Sequence, residues 1–149
     1  LSEAPNILGT DGTKMSKSRG NTIEIGMTAE ATAKIIKRAV TDSDRHITYD
    51  PQARPEVANL LLLASLCTGR SPESWAEEIG DAGSGRLKAV VTEAVNATFA
   101  PIRARRAELE ADPGYLVEVL AAGNARANEV ADVTLDEVRA AMGMVYDLR

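Results

Sequence analysis

The sequence predicts a mainly α-helical protein, with a bundle of helices after a loop-rich start. Apolar side chains recur every three to four residues along most of the 149-residue chain, the spacing of a helix with one buried face. Alanine and leucine, both strong helix formers, are abundant. Aromatic residues make up only 3%, and the turn residues that would separate short strands are concentrated in a few places. These features argue against an all-β fold.

The first 26 residues are predicted to form a loop-rich segment. They contain Pro5 and several glycines but show no sustained helical periodicity. One short strand is expected there, over residues 22–25. The chain also begins at Leu1 rather than at a methionine, so we expect a piece of a longer protein.

Three helices are expected in the next part of the chain. The first is predicted over residues 28–40, where Thr28 has the side-chain oxygen to cap a helix N-terminus. The second begins at Pro55, whose fixed φ suits the first helical position, and ends at Gly69. Its nearly continuous apolar character places it at the centre of the bundle. The third is short and covers residues 71–80.

Three further helices are expected in the second half. A long one over residues 87–112 should kink near Pro101, because proline removes a backbone hydrogen bond inside a helix. Another follows over residues 115–133. Thr134 and Glu137 then have the spacing of a capping box, which predicts the start of a last short helix.

Charge and cysteine content bear on the class of partner. A net charge of −5 argues against a nucleic-acid partner. Basic clusters at residues 14–19 and 103–106 could nevertheless form a local surface that faces RNA. Cys67 is the single cysteine, so no intrachain disulfide can form and we interpret it as core filler in a reducing compartment. The longest apolar run, residues 60–66, is too short to span a membrane, which needs about 20 residues. We expect a soluble, cytoplasmic protein.

The most informative segment is Gly-Thr-Lys-Met-Ser-Lys-Ser-Arg-Gly-Asn at residues 12–21. Lys14 and Lys17 stand among hydroxyl side chains, and the flanking glycines allow the backbone to approach a ligand closely. Such a loop suits a polyphosphate, because ammonium groups and backbone N–H groups stabilise its negative charge. A solvated basic loop without a ligand is the alternative for a generic stretch of this composition.

Residues 14–18 match the KMSKS signature of the class I aminoacyl-tRNA synthetases, with a preceding glycine and a following Gly-Asn. The rest of the chain resembles the bacterial tryptophanyl-tRNA synthetases. The similar segments are Ala39–Ser43, Tyr49–Pro51, Asn59–Leu61, Gly85–Lys88, Pro101–Arg103, Thr134–Leu135 and Met142–Gly143.

The resemblance implies the tail end of a Rossmann-type catalytic domain, with the KMSKS loop, over residues 1–26 and a helical anticodon-binding region over residues 27–149. It implies ATP-dependent charging of tryptophan tRNA by a protein that is a homodimer when full length. Lys14 and Lys17 would be the catalytic residues, and Mg²⁺ would accompany the ATP. The loop residues implied to contact ATP are Lys14, Met15, Ser16, Lys17 and Ser18.

Other side chains are candidates for RNA contacts. The resemblance implies RNA contacts for three arginines, Arg103, Arg105 and Arg106. The alternative is that they are solvated surface charges, the usual role of such residues. The aromatic side chains of Trp75 and Phe99 are interpreted as core rather than as base-stacking groups. His46, the sole histidine, has no Cys or His neighbours that would make a metal site, so no metal ligands are predicted.

The HIGH-type histidine pair of the family cannot be formed by a chain with one histidine. The resemblance implies that the nucleotide-binding sheet and the tryptophan pocket lie outside these residues, so this chain alone is expected to be inactive. One alternative is a truncated, noncatalytic relative that binds RNA or protein. Another is a helical interaction module in which the lysine motif is a coincidence.

Overall fold

The computed structural model describes residues 7–145, so Pro5 of the predicted loop-rich segment lies outside the described residues. The mainly α-helical prediction is confirmed. Two short 3₁₀ turns, Lys17–Arg19 and Gly80–Ala82, accompany the α-helices. Over the described range the α-helices are α1 (Ala29–Lys37), α2 (Pro55–Thr68), α3 (Pro72–Ile79), α4 (Gly83–Glu110) and α5 (Pro113–Ala141).

The chain divides into two compact units, Leu1–Ala104 and Arg105–Arg149. The core of the first unit is aliphatic, and removing each such large side chain from water contributes about 1.5–3 kcal/mol. Cys67, Trp75 and Phe99 pack against this core, as expected. The largest fully buried aliphatic side chains come from α1, α2, α4 and the connection before α2: Ile36, Ile47, Val57, Leu61, Leu87, Val91 and Val95.

Three helix ends in this unit lie at the predicted residues. The Thr28 side chain accepts a hydrogen bond from the Ala31 N–H, and α2 ends at Gly69 with a φ of 76°. A left-handed backbone of this kind favours glycine because it has no Cβ. The predictions for the starts of α1 and α2 and for the end of α2 are therefore confirmed.

Three predictions in the first unit are wrong. The first helix ends at Lys37 and not at residue 40, because the Val40 N–H bonds to the Thr10 carbonyl outside the helix. Residues 22–25 do not form a strand, because a strand needs a paired neighbour and the described residues contain one isolated bridge, between Leu8 and Lys14. In addition, α4 begins at Gly83, since the preceding 3₁₀ turn leads directly into it, so its start lies four residues before Leu87. Pro101 lies inside α4, and the kink there stays a prediction.

In the second unit the predicted pair of helices is a single helix, α5. Thr134 does not cap a new helix, because its hydroxyl donates to the Val130 carbonyl at 3.0 Å, an i−4 bond inside a continuing helix. No proline or glycine stands between Gly123 and Gly143 to stop the helix. Every described α5 side chain is exposed. No helix in residues 7–145 is long and apolar enough to cross a membrane.

Candidate nucleotide-binding loop

Residues 8–21, hereafter the lysine loop, fold into a compact turn held by backbone hydrogen bonds. The Gly9 N–H donates to the Thr13 carbonyl at 2.7 Å, next to the bridge between Leu8 and Lys14. The Thr10 N–H donates to the Asn21 carbonyl at 3.0 Å, which joins the two ends of the loop. The loop is therefore held in its conformation by its own hydrogen bonds, without a ligand.

The side chain of Asn21 lies at the centre of the lysine loop and is buried. Its Oδ1 accepts from the Ser16 N–H at 2.8 Å. Its Nδ2 donates to the Asp11 carboxylate at 2.8 Å and to the Lys14 carbonyl at 3.2 Å. One amide thus connects the first part of the loop to the segment that carries the two lysines.

Asp11 completes this network at the surface of the loop. Its carboxylate also accepts from the Thr13 N–H at 3.0 Å and from the Thr13 hydroxyl at 2.9 Å. These bonds, above all the one from Asn21, lower the pKa of Asp11 from 3.8 to about 2. Arg19 donates to the Thr13 hydroxyl at 2.9 Å, so the segment after the lysines is tied to the same point.

The lysine loop is anchored on the helices through its base. The Asn59 side chain of α2 accepts from the Leu8 N–H at 2.9 Å and donates to the Leu8 carbonyl at 3.1 Å, which imitates a strand partner. The Val40 N–H, just after α1, donates to the Thr10 carbonyl at 2.8 Å. The start of α2 and the end of α1 therefore fix the position of the loop.

The two predicted catalytic lysines are exposed. Within residues 7–145, the side chains of Lys14 and Lys17 make no hydrogen bond or ion pair, whereas Met15 and Ser16 are half-buried. The Ser16 and Ser18 hydroxyls lie 2.8 Å apart. The ammonium groups are therefore available to an anionic ligand on a frame that is already formed. No group of three or more His, Cys, Asp or Glu residues suited to a metal ion occurs in the described part of the chain.

The structure places the predicted RNA-contact arginines in different surroundings. Arg103 donates to the Asn96 side chain at 2.7 Å, to the Thr32 hydroxyl at 2.8 Å and to the Ile25 carbonyl at 3.2 Å. These contacts favour a structural role, because they join α4 to α1 and the segment before it. Arg105 is exposed and forms an ion pair with a glutamate one turn along its helix. Arg106 does the same.

Sequence reasoning missed a second polar network, centred on Arg54. Its guanidinium donates two hydrogen bonds of 2.7 Å to the Asp42 carboxylate and one of 2.6 Å to the His46 carbonyl. The bond from Arg54 is the main reason that the pKa of Asp42 is lowered. The His46 ring lies 2.8 Å from the Asp81 carboxylate, so the sole histidine holds a loop and is not part of a metal cluster in the described residues.

The organisers of the lysine loop were also missed. The sequence shows Asn21 only as part of the motif and Asn59 only as part of a similar segment. A buried asparagine that bonds backbone groups has no periodic signature in a sequence. The following Gly-Asn was the signal available for Asn21, while no spacing rule indicates that Asn59 pairs with a residue 51 positions earlier.

Comparisons with known proteins agree with the motif and with the helices. Residues 4–100 match the family described as "tRNA synthetases class I (W and Y)". The chain is similar to the tryptophan–tRNA ligase of Thermosynechococcus vestitus, with 42% identity over 90% of this chain and 42% of that protein. For the tryptophan–tRNA ligase of Corynebacterium glutamicum the identity is 40% over 91% of this chain and 40% of that protein. The chain thus spans less than half the length of these relatives.

A solved structure extends the likeness to three dimensions. The fold is similar to that of tryptophanyl-tRNA synthetase from Campylobacter jejuni, solved with ADP and tryptophan, with a TM-score of 0.75 and 31% identity. The similarity covers 96% of this chain and 45% of that one. The resemblance to bacterial tryptophanyl-tRNA synthetases is confirmed. With the family match over residues 4–100 and the KMSKS segment on a formed loop, the chain belongs to the class I tRNA synthetases of the tryptophan and tyrosine family.

Proposed function

We propose that this chain is part of a tryptophan–tRNA ligase, to which it contributes the loop that binds the ATP phosphates and a helical region that binds tRNA. The observation that carries the proposal is the lysine loop, in which Lys14 and Lys17 are exposed on an internally hydrogen-bonded frame. The tryptophan–tRNA ligases among its relatives support the choice of tryptophan over tyrosine.

The two lysines account for the chemistry that this chain would supply. In the formation of an aminoacyl-adenylate, a carboxylate attacks the α-phosphate of ATP and pyrophosphate leaves. Ammonium groups of Lys14 and Lys17 beside the phosphates stabilise the charge that develops on the leaving group. Ser16, Ser18 and the backbone around Met15 complete the contacts to the nucleotide. Mg²⁺ bound to the ATP would neutralise further phosphate charge.

We also propose a domain division for this chain and binding partners for the full-length protein. Residues 1–26 are the end of the catalytic domain and residues 27–149 the tRNA-binding region. Arg105 and Arg106 are its proposed RNA contacts together with Arg103, although Arg103 is held by protein groups. The full-length protein is proposed to be a cytoplasmic homodimer that binds tryptophan, ATP and tryptophan tRNA.

The test is amino acid-dependent exchange of pyrophosphate into ATP by the full-length protein, followed by charging of tryptophan tRNA. Exchange with tryptophan but not with tyrosine, and transfer to tRNA, would support the proposal. Exchange with tyrosine alone would move the protein to the other branch of its family. RNA binding with no exchange for either amino acid would favour a noncatalytic relative instead.

A further inference from the structure

We propose that Asn21 is the positioning residue that sets where the two lysine ammonium groups stand relative to the ATP phosphates. The inference rests on the proposed function and deepens it by naming a residue that acts through the lysines. Asn21 is 3% exposed, so its amide reaches no ligand directly. Its influence has to pass through the groups to which it is bonded.

Those groups lie on both sides of Met15, between the two lysines. Asn21 donates to the carbonyl of Lys14 at 3.2 Å and accepts from the N–H of Ser16 at 2.8 Å. The Ser16 backbone leads directly into the 3₁₀ turn that carries Lys17. The amide therefore fixes the backbone at Lys14 and one residue before Lys17, which determines how far apart the two side chains begin.

The amide itself has little freedom to move. A Cβ placed on Gly9 would lie 2.4 Å from the Asn21 Nδ2, so the side chain packs directly against the Gly9 backbone. On the other side, Nδ2 donates to the Asp11 carboxylate at 2.8 Å. Because both its donors and its acceptor are used, the orientation of the amide is specified by the loop. A group held in this way can transmit its position to the lysines.

Asn21→Asp in the full-length protein tests the role with almost no change in size. The acceptor for the Ser16 N–H is kept, but the three hydrogen bonds from Nδ2, to the Asp11 carboxylate, the Thr13 hydroxyl and the Lys14 carbonyl, are lost. An oxygen would also face the Asp11 carboxylate and the Lys14 carbonyl, which repels the loop from its present form. We expect kcat for tryptophan-dependent pyrophosphate exchange to fall by about 10- to 100-fold, since misplaced charge stabilisation acts on the transition state. KM for tryptophan should stay within about twofold, because the proposed role of Asn21 acts on the ATP phosphates and not on the amino acid.

A rescue experiment separates positioning from general damage. Asp11→Asn combined with Asn21→Asp restores an amide–carboxylate pair with donor and acceptor exchanged. We expect this double variant to recover about fivefold or more of the lost kcat, although the bond to the Lys14 carbonyl and the bond from the Thr13 N–H to Oδ1 of residue 11 stay absent. Thr22→Val is the matched control at the next position, because the Thr22 hydroxyl is buried and makes no hydrogen bond within the described residues. It should leave kcat unchanged and should not lower Tm.

The outcomes distinguish this inference from the proposed function. A wild-type protein without exchange activity would overturn the proposed function and this inference with it. An active wild type whose Asn21→Asp variant keeps kcat within about twofold would overturn the inference alone. A purely structural role would give a different pattern: the double variant would not recover kcat, KM would change as much as kcat, and Tm would fall. That pattern would also overturn the inference.

Discussion

Replacement of Arg54 by methionine should destabilise the first unit, and the structure sets the size of the effect. The Arg54 side chain is 11% exposed and donates to the Asp42 carboxylate, to the His46 carbonyl and to the Thr48 hydroxyl. A hydrogen bond to a charged group contributes about 1.5–3 kcal/mol, but bonds in one network do not add. The Asp42 side chain is 34% exposed, so water can replace part of the hydrogen bonding that Asp42 loses with the guanidinium. We therefore expect a loss of about 2–3 kcal/mol in the free energy of unfolding.

Urea unfolding of this chain, followed by circular dichroism, measures the loss. Arg86→Met is the matched control, because Arg86 is exposed and makes no ion pair within residues 7–145. Its cost should stay below about 0.5 kcal/mol. A double-mutant cycle with Asp42→Asn should give a coupling of about 1–2 kcal/mol. If Arg54→Met and Arg86→Met cost the same, the network does not stabilise the connection between α1 and α2.

Three further predictions follow from named contacts. Leu61→Ala, at a fully buried position of α2, should cost about 2–5 kcal/mol in urea unfolding, and a cost under 1 kcal/mol would contradict the packing described. The Asp11 carboxyl should titrate near pH 2 by carbon NMR, and a midpoint at 3.8 or above would contradict its hydrogen bonds. Because the folded pKa is lowered, Asp11 stabilises the loop fully above pH 3.8, and this contribution is lost as the pH falls through about 2. Arg103→Met should lower Tm, since it removes the bond to the buried Thr32 hydroxyl, whereas Arg105→Met should leave Tm unchanged. Equal melting curves for these two variants would refute the structural role of Arg103.

Local signals in the sequence were sufficient for three helix ends. Thr28, Pro55 and Gly69 each have a conformational or hydrogen-bonding reason to stand at a helix end, and all three stand there. Thr134 has the same local signal but lies inside α5. A threonine hydroxyl can satisfy itself on the carbonyl four residues earlier, so a capping pattern without a helix-breaking residue does not stop a helix.

The motif of the candidate site could be predicted from the sequence, but the hydrogen bonds that hold the lysine loop in place could not. The KMSKS letters predicted Lys14 and Lys17 as the ATP-site residues, and the structure shows that both side chains are exposed. The frame depends on contacts between residues far apart in the chain, such as Asn59 with Leu8, which no local pattern encodes. The ion pair between Arg54 and Asp42 could not be predicted either, because the sequence of a polar connection does not show which charged side chains will pair.

Lys14 and Lys17 are proposed to act on the ATP phosphates, and the proposed function rests on that role. The direct measurement is tryptophan-dependent pyrophosphate exchange by the full-length protein, with Lys14→Met and Lys17→Met compared at equal folded concentration. Lys34→Met, an exposed lysine of α1, is the matched control. We expect each loop variant to lose about 100-fold or more in kcat and the control to stay within about twofold of wild type. Loop variants that keep the exchange rate of the control would contradict the account.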